Sequence, residues 1–393
     1  MALPFRNPAV EVDVAIVGAG PGGSTLAALL AIRGVSVALI DRDMFPRDKL
    51  CGEFLSYDAL PIVEALGVDL GDAPFIDRCR VVSRNRTYEF AFPHAARGVS
   101  RMKLDELLFR KAVSAGAIAL DGHTVVSCGA TGALACRSDA QAGAPVPPLD
   151  IRARVVVGAW GRWGRFDQQL HRAFVHDRTH RNFGFKRHYR GTREPGVIEL
   201  YSFARGYLGV SDVEDNITNI CGLVHADRLA GHKGKWDSFI ETIRAEEPPL
   251  EAMYARFTPA QEQFLSSEPV IFRSRSAVEG GIFMIGDASG VIDPLTGNGM
   301  AMAIQSAVVA APYVLCALTD RKAAEDQYRE EHRRMFAKRI GWSRRVAALL
   351  SRPALLDQAL RIARTPAFGA FLLMQTRARR DDMARLMERC RVT

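Results

Sequence analysis

The chain has 393 residues, 48% apolar and 24% charged, which suits two folded domains and excludes a disordered or fibrous polypeptide. Its seven cysteines form no CxxC pair, so free thiols in a reducing cytoplasm are expected rather than a zinc or disulfide scaffold. The net charge of +8 gathers at the C-terminal end, where residues 321–393 hold 18 Lys/Arg against 8 Asp/Glu. Those arginines lack the interleaved aromatics that stack on bases, which argues against nucleic acid. Solvated helix faces are the favoured reading of the basic end, with an acidic partner such as a carrier protein or an anionic membrane surface as the alternatives.

Glu11 and Asp13 precede the first apolar run, so no secretory leader is expected. Val12 to Val17 reads as a buried strand, followed by Gly18-Ala19-Gly20-Pro21-Gly22-Gly23 and an Ala/Leu-rich helix. A second apolar run, Val35 to Ile40, ends in Asp41. This strand–turn–helix–strand with a terminal acid is a dinucleotide-binding pattern. Gly18 permits the turn, Gly20 lets backbone approach a pyrophosphate, and Gly23 lets helix and strand pack. Asp41 would accept hydrogen bonds from a ribose.

Arg42 to Glu53, with Pro46 and many charges, reads as an exposed loop. Ser100 to Leu108 starts an amphipathic helix with Arg101 at its entry. His123 to Val126, Leu134 to Cys136 and Arg154 to Ala159 read as short strands, with a loop at Gly143 to Pro148. From Phe183 to His225, β-branched and aromatic segments broken by glycines predict an antiparallel sheet, joined by Tyr88 to Phe92. His176 and His180 have helical ligand spacing but sit among Asp177, Arg178 and Arg181, so no metal site is expected. The apolar stretch Gly299 to Leu318 contains Gln305, Ser306 and Pro312 and reads as a buried helix, not a membrane span. The tail from Ala323 is helical, interrupted at Pro353 and Pro366.

Ile285 to Met300 is a second signal: a strand delivers Asp287 to a turn, and Pro294 and the following glycines lead into an apolar helix. A carboxylate there can hold a ribityl or ribose hydroxyl, and the helix start can stabilise negative charge on a reduced flavin.

With these residues the chain resembles the large flavin-dependent monooxygenase superfamily of the para-hydroxybenzoate hydroxylase fold. The resemblance spans the N-terminal fingerprint, the SRxxLDxLL helix and the GDAxxxxxPxxGxGM segment. Phe45 to Glu53 and Pro294-Leu295-Thr296-Gly297 look like the geranylgeranyl reductase and flavin-dependent halogenase branch. The implied architecture is α/β: a Rossmann-like FAD domain (1–80, 100–175, 270–325), an interleaved antiparallel-sheet substrate domain (81–99, 176–269) and a C-terminal helical region (326–393). The implied cofactor is FAD. Expected contacts are Gly18, Gly20, Pro21, Gly22, Gly23, Asp41, Arg42, Arg47, Cys51, Gly52, Arg101, Val125, Gly286, Asp287, Pro294, Gly297, Asn298, Gly299 and Met300.

Two positions depart from the family. Its Asp-Gly pair after the Val-Val-Gly-Ala strand is replaced by Ala159-Trp160-Gly161-Arg162-Trp163-Gly164, which leaves open whether NAD(P)H reduces the flavin directly or through a separate flavin reductase. No lysine lies between Glu53 and Arg101, and no WxWxIP run exists, which disfavours halogenation. The aromatic strand typical of the reductases keeps only its Gly206-Tyr207 opening.

The expected chemistry is hydroxylation, through a flavin C4a-peroxide, of a large apolar or aromatic substrate, polyketide-like, carrier-tethered or peptide-borne. The alternative is reduction of isoprenoid or other alkene double bonds; a non-catalytic FAD-binding protein is a third reading. Phe185, Tyr201, Phe203 and Tyr207 are the expected substrate wall. Cys51 and Glu53 are the candidate catalytic residues, with Arg47 and Lys49 expected to lower the thiol pKa. His94, His188 and His225 are present, but sequence assigns none as a base.

Overall fold

The computed structural model describes residues 9–128, 132–138, 149–177, 181–232, 234–362 and 365–390; the Gly143–Pro148 loop and His180 lie outside them. A parallel sheet holds Ile282–Met284, Leu149–Gly158, Val10–Val17, Val37–Asp41 and Ile118–Asp121 side by side, with Val278–Glu279 antiparallel at one edge. Successive strand residues point to opposite faces. Val14, Ile16, Val37 and Leu39 therefore meet the helices Pro21–Ala31, Arg101–Ser114 and Gly299–Ala317. Ala15, Val17, Ala38 and Ile40 meet a hairpin, His123–Cys128 with Ala133–Ser138.

The second sheet runs Phe257–Pro259, Asn182–Gly191, Ile217–His225, Gly206–Val213, Val197–Phe203, Phe75–Val82, Thr87–Gly98, Phe54–Leu55, with Leu265–Ser266 beside Asn182–Gly191. All its neighbours are antiparallel except Val197–Phe203 with Phe75–Val82. Phe75–Val82 belongs here, so the boundary expected after residue 80 cuts through a strand. The outer face is an aromatic core of Phe185, Tyr189, Tyr201 and Phe203 under the helices Trp236–Glu246 and Pro248–Tyr254.

The C-terminal helices are Arg321–Leu350, Pro353–Ile362, Pro366–Met374 and Arg380–Cys390. Proline opens the second and third of these, where its missing N–H costs nothing. Pro366–Met374 packs on the strand Thr87–Gly98, and Arg380–Cys390 packs on Leu60–Ala65 and Gly299–Ala317. The buried Asp58 carboxylate anchors this return. It accepts the Ala378 N–H at 3.0 Å and lies 3.5 Å from the Arg339 guanidinium. Gly299–Ala317 is apolar and long enough to cross a membrane, but 72% of it is buried between the fingerprint helix and Arg321–Leu350. The seven cysteines are all free, and no cluster of metal-ligating groups exists among the described residues.

Candidate cofactor and substrate site

The turn after Val10–Val17 brings Gly18 to φ +108°, where a Cβ would stand 2.3 Å from the Ala159 carbonyl oxygen. A Cβ on Gly23 would stand 1.8 Å from the Gly18 oxygen, so these two glycines hold turn, helix and strand together. Gly22 is close-packed on the Ala303 backbone, and Pro21 has no N–H to offer a ligand. Gly20 differs: its nearest neighbour would be Arg101 Nη2 at 3.8 Å, so its backbone faces open space.

Asp41 closes the next strand and accepts the Ala19 N–H at 2.7 Å and Arg47 Nη2 at 3.0 Å. Arg47 also donates to the fully buried Asp105 at 2.7 Å, and Arg101 donates to both Asp105 oxygens at 2.7 Å. Asp41, Arg47, Asp105 and Arg101 thus form one ionic chain along the glycine turn. Burial opposes the charge of Arg101, but the Asp105 carboxylate outweighs it and raises its pKa. Two expected contacts stand apart. Arg42 follows the strand into solvent, 71% exposed beside Asp43. The Val125 side chain points into the core beneath the parallel sheet.

The loop leading to Glu53 is clamped by residues that sequence spacing does not reveal. Glu53 is fully buried at φ +55°. One of its oxygens accepts the Arg101 N–H at 2.9 Å and Lys186 Nζ at 2.7 Å; the other lies 2.7 Å from His188 Nε2. Lys186, also fully buried, donates to Asp48 at 2.6 Å. Asn219 donates to the Cys51 carbonyl at 3.0 Å. Lys186 and His188 alternate with Phe185 and Arg187 along one strand, so the polar pair faces the loop and Phe185 the outer core.

Cys51 corrects an expectation. Burial of the thiol raises its pKa, and the cation that opposes this most is Arg101 rather than Arg47 or Lys49. Lys49 is drawn to Asp43 and Arg47 to Asp41 and Asp105, so neither positive charge is free for the thiol.

At the second signal, Gly286 takes φ +58° and opens the short turn Gly286–Ala288 that carries the half-buried Asp287. Burial raises the Asp287 pKa against the attraction of Arg162, Arg275 and Arg101, which face it from three other segments. Burial lowers Arg275 to about 10, and its Nε and Nη2 have no partner among the described residues. Gly297, at φ +59°, lies against the Phe54 ring, where a Cβ would come within 2.6 Å. Gly299 opens the long apolar helix with nothing within 4 Å of a Cβ. The Met300 side chain is in the core, and Asn298, fully buried, donates to the Thr376 carbonyl.

The expected substrate wall is also corrected. Phe185, Tyr201 and Phe203 pack into the outer core, because an aromatic strand face is buried most readily against an amphipathic helix. Tyr207 donates its hydroxyl to the buried Asp293 instead. A different apolar cleft, with a cavity volume of about 120 Å³ and open to solvent, lies between the second sheet and the C-terminal helices. Its inner end is Phe54 against Leu295 and Gly297; Phe90, Phe92, Ile198 and Leu200 form one wall and Leu349, Leu356, Phe368 and Leu373 the other. Of the three candidate histidines, His94 meets Tyr57 edge-to-face and His225 meets Arg205 and Asp227, whereas His188 is the one bonded to Glu53.

Two outcomes follow from the buried charges. Lys186→Met removes the ammonium shared by Asp48 and the fully buried Glu53 and leaves Glu53 only the Arg101 N–H and His188, a change expected to cost about 3–5 kcal/mol and measurable by denaturant unfolding. Burial raises Asp293 to about 6 from an ordinary 3.8. Its neutral form is the one the fold favours, so that contribution is full below pH 3.8 and is lost as pH rises through about 6. Asp293→Asn cannot ionise and should flatten the melting temperature over that interval.

Residues 11–343 match the family described as FAD binding domain. A tryptophan 2-halogenase of Chondromyces crocatus is 25% identical over 77% of this chain, which spans only 61% of that protein's length. A menaquinone reductase of Mycolicibacterium smegmatis is 28% identical over 88% of this chain and 86% of its own. Two solved structures have TM-scores of 0.75 at 18% identity. The myxobacterial chondrochloren halogenase covers 97% of both chains. A geranylgeranyl bacteriochlorophyll reductase-like protein from Thermoplasma acidophilum covers 97% of this chain and 96% of its own. With a glycine turn, an acid at the end of the next strand and a second aspartate in one fold, and residues 11–343 matched, the chain belongs to the FAD binding domain family.

Proposed function

We propose that this protein is an FAD-dependent reductase that saturates a carbon–carbon double bond in a long apolar substrate. The observation that carries this reading is the cleft ending at Phe54 and Gly297, whose walls are almost wholly hydrocarbon. Such a cleft is suited to an isoprenoid-like chain, with the buried Arg377, whose Nε and Nη1 carry no hydrogen bond among the described residues, as a cationic group among its lining. The similarity to the menaquinone reductase over most of both chains supports it.

The residues fit the cofactor. Gly20 leaves room for a pyrophosphate, Arg101 supplies charge beside it, and Asp41 can trade its Ala19 and Arg47 bonds for ribose hydroxyls. Asp287 can accept from ribityl hydroxyls, and Arg275, whose Nε and Nη2 carry no hydrogen bond among the described residues, can donate to the cofactor's oxygens. The start of Gly299–Ala317 faces open space with its N–H groups and positive dipole end. FAD, when bound, supplies the hydride, and electrons reach it from NAD(P)H directly or through a separate flavin reductase.

Cys51 is the candidate proton source at Sγ, because burial keeps the thiol protonated and Phe54 of the cleft follows three residues later. Glu53, Lys186 and His188 hold that loop in place. Lys186 is committed to Asp48 and Glu53, so it does not supply the free ammonium associated with halogenation. The free thiols fit a reducing, cytoplasmic setting.

Hydroxylation of an apolar aromatic substrate is a second reading, favoured by one observation: Phe54, Phe92 and Phe90 meet edge-to-face at the inner cleft, a surface on which an aromatic ring can pack. The two readings separate when the flavin is reduced without oxygen and given isoprenoid alkenes or alkyl phenols. Flavin reoxidation by an alkene alone, with two hydrogens gained by the product, is the expected result. A product that forms only with O2 and carries one new oxygen overturns the reductase in favour of the hydroxylase. Asp287→Ala should purify without yellow colour; full retention of FAD removes its assigned role.

A further inference from the structure

Among the described residues, Leu355, Ile362, Phe368, Phe371 and Met374 are large apolar side chains left exposed on the two helices that wall the cleft. Ile362 is 78% exposed, Met374 60% and Phe371 53%. Phe368 both lines the cleft and is 44% exposed, so the outer apolar face and the cleft interior are continuous. On each helix the opposite side is inward: Leu356 and Leu360 on the first, Leu372 and Leu373 on the second. These helices have 10 and 9 residues, too short to span a bilayer and suited to lying in its interface.

Charge around the face selects its occupant. Residues 344–380 contain eight arginines and a single acid, Asp357, which is engaged by Ser83 and Asn85. Arg344, Arg345, Arg352, Arg361, Arg379 and Arg380 are exposed there. A second copy docked through this face would bring like charges together. An anionic lipid surface meets both the arginines and the apolar side chains at once.

We propose that this face docks on an anionic membrane surface, with Ile362, Phe371 and Met374 seated among the acyl chains and the cleft mouth open to the bilayer. Apolar substrate then enters the cleft from lipid without crossing water. The delivery step rests on the apolar-substrate reading above; the docking does not.

The test is co-sedimentation of the flavin-loaded protein with phosphatidylcholine vesicles, with and without phosphatidylglycerol, over a salt series. Binding that requires the anionic lipid and falls with salt is expected. The variant Ile362→Ser/Phe371→Ser/Met374→Ser should lose vesicle binding about tenfold or more, with melting temperature and flavin content unchanged. Unaltered binding by that variant, or no preference for the anionic lipid, overturns the proposal. So does a concentration-dependent dimer, or capture of an acidic carrier protein, that the triple variant abolishes while neither protein binds vesicles. If vesicle binding behaves as expected while no alkene or alkyl phenol perturbs or reoxidises the flavin, docking stands and the substrate reading fails.

Discussion

Glu53 is a carboxylate with no exposed surface, shared by donors from a helix and a strand: the first N–H of the helix Arg101–Ser114 on one side, Lys186 and His188 of the second sheet on the other. An ion buried this deeply is tolerated only when its partners are in place, because each lost partner leaves charge in a poorly polarisable medium. The joint therefore acts as a constraint on geometry more than as a source of net stability. Arg101 is set at the glycine turn, Cys51 behind it and Phe54 beyond it. The dinucleotide side and the cleft side of the molecule meet at this one residue.

Alternation along the strands determines which side of the second sheet does what. Phe185, Tyr201 and Phe203 go outward because amphipathic helices cover that face, leaving Lys186 and His188 to meet the loop before Glu53 and Ile198 and Leu200 to face the cleft. The apolar cleft is then built from strands near the sheet's other edge and from helices more than a hundred residues later in sequence. Its walls are hydrocarbon because the strands and the helix Pro353–Ile362 turn apolar faces to it and the helix Pro366–Met374 is apolar throughout, and the loop Pro294–Gly297 lies at its inner end.

The C-terminal helices join these functions. Asp58, Arg339 and the Thr376–Ala378 turn pin them internally through buried polar contacts, which frees their outer faces from any structural duty. An outer face of that kind keeps exposed phenylalanine and methionine beside arginine, a combination that water alone does not favour.

The sequence by itself determined the parts whose chemistry is local. Gly18 and Gly23 answer clashes within one strand–turn–helix, Asp41 ends the strand that follows, and Asp287 sits one residue past a glycine that must take a positive φ. Strand period and glycine spacing record such constraints directly. Only the tertiary structure decided which strand face turns inward, that Lys186 and His188 close on Glu53 across more than a hundred and thirty residues of chain, that Arg101 rather than Arg47 governs the charge beside Cys51, and that the cleft is walled by the C-terminal helices. The physical reason is that periodicity says two faces differ but not which neighbour each will bury against. A buried ion pair between distant segments leaves no spacing to read, because its partners are chosen by how the sheets pack.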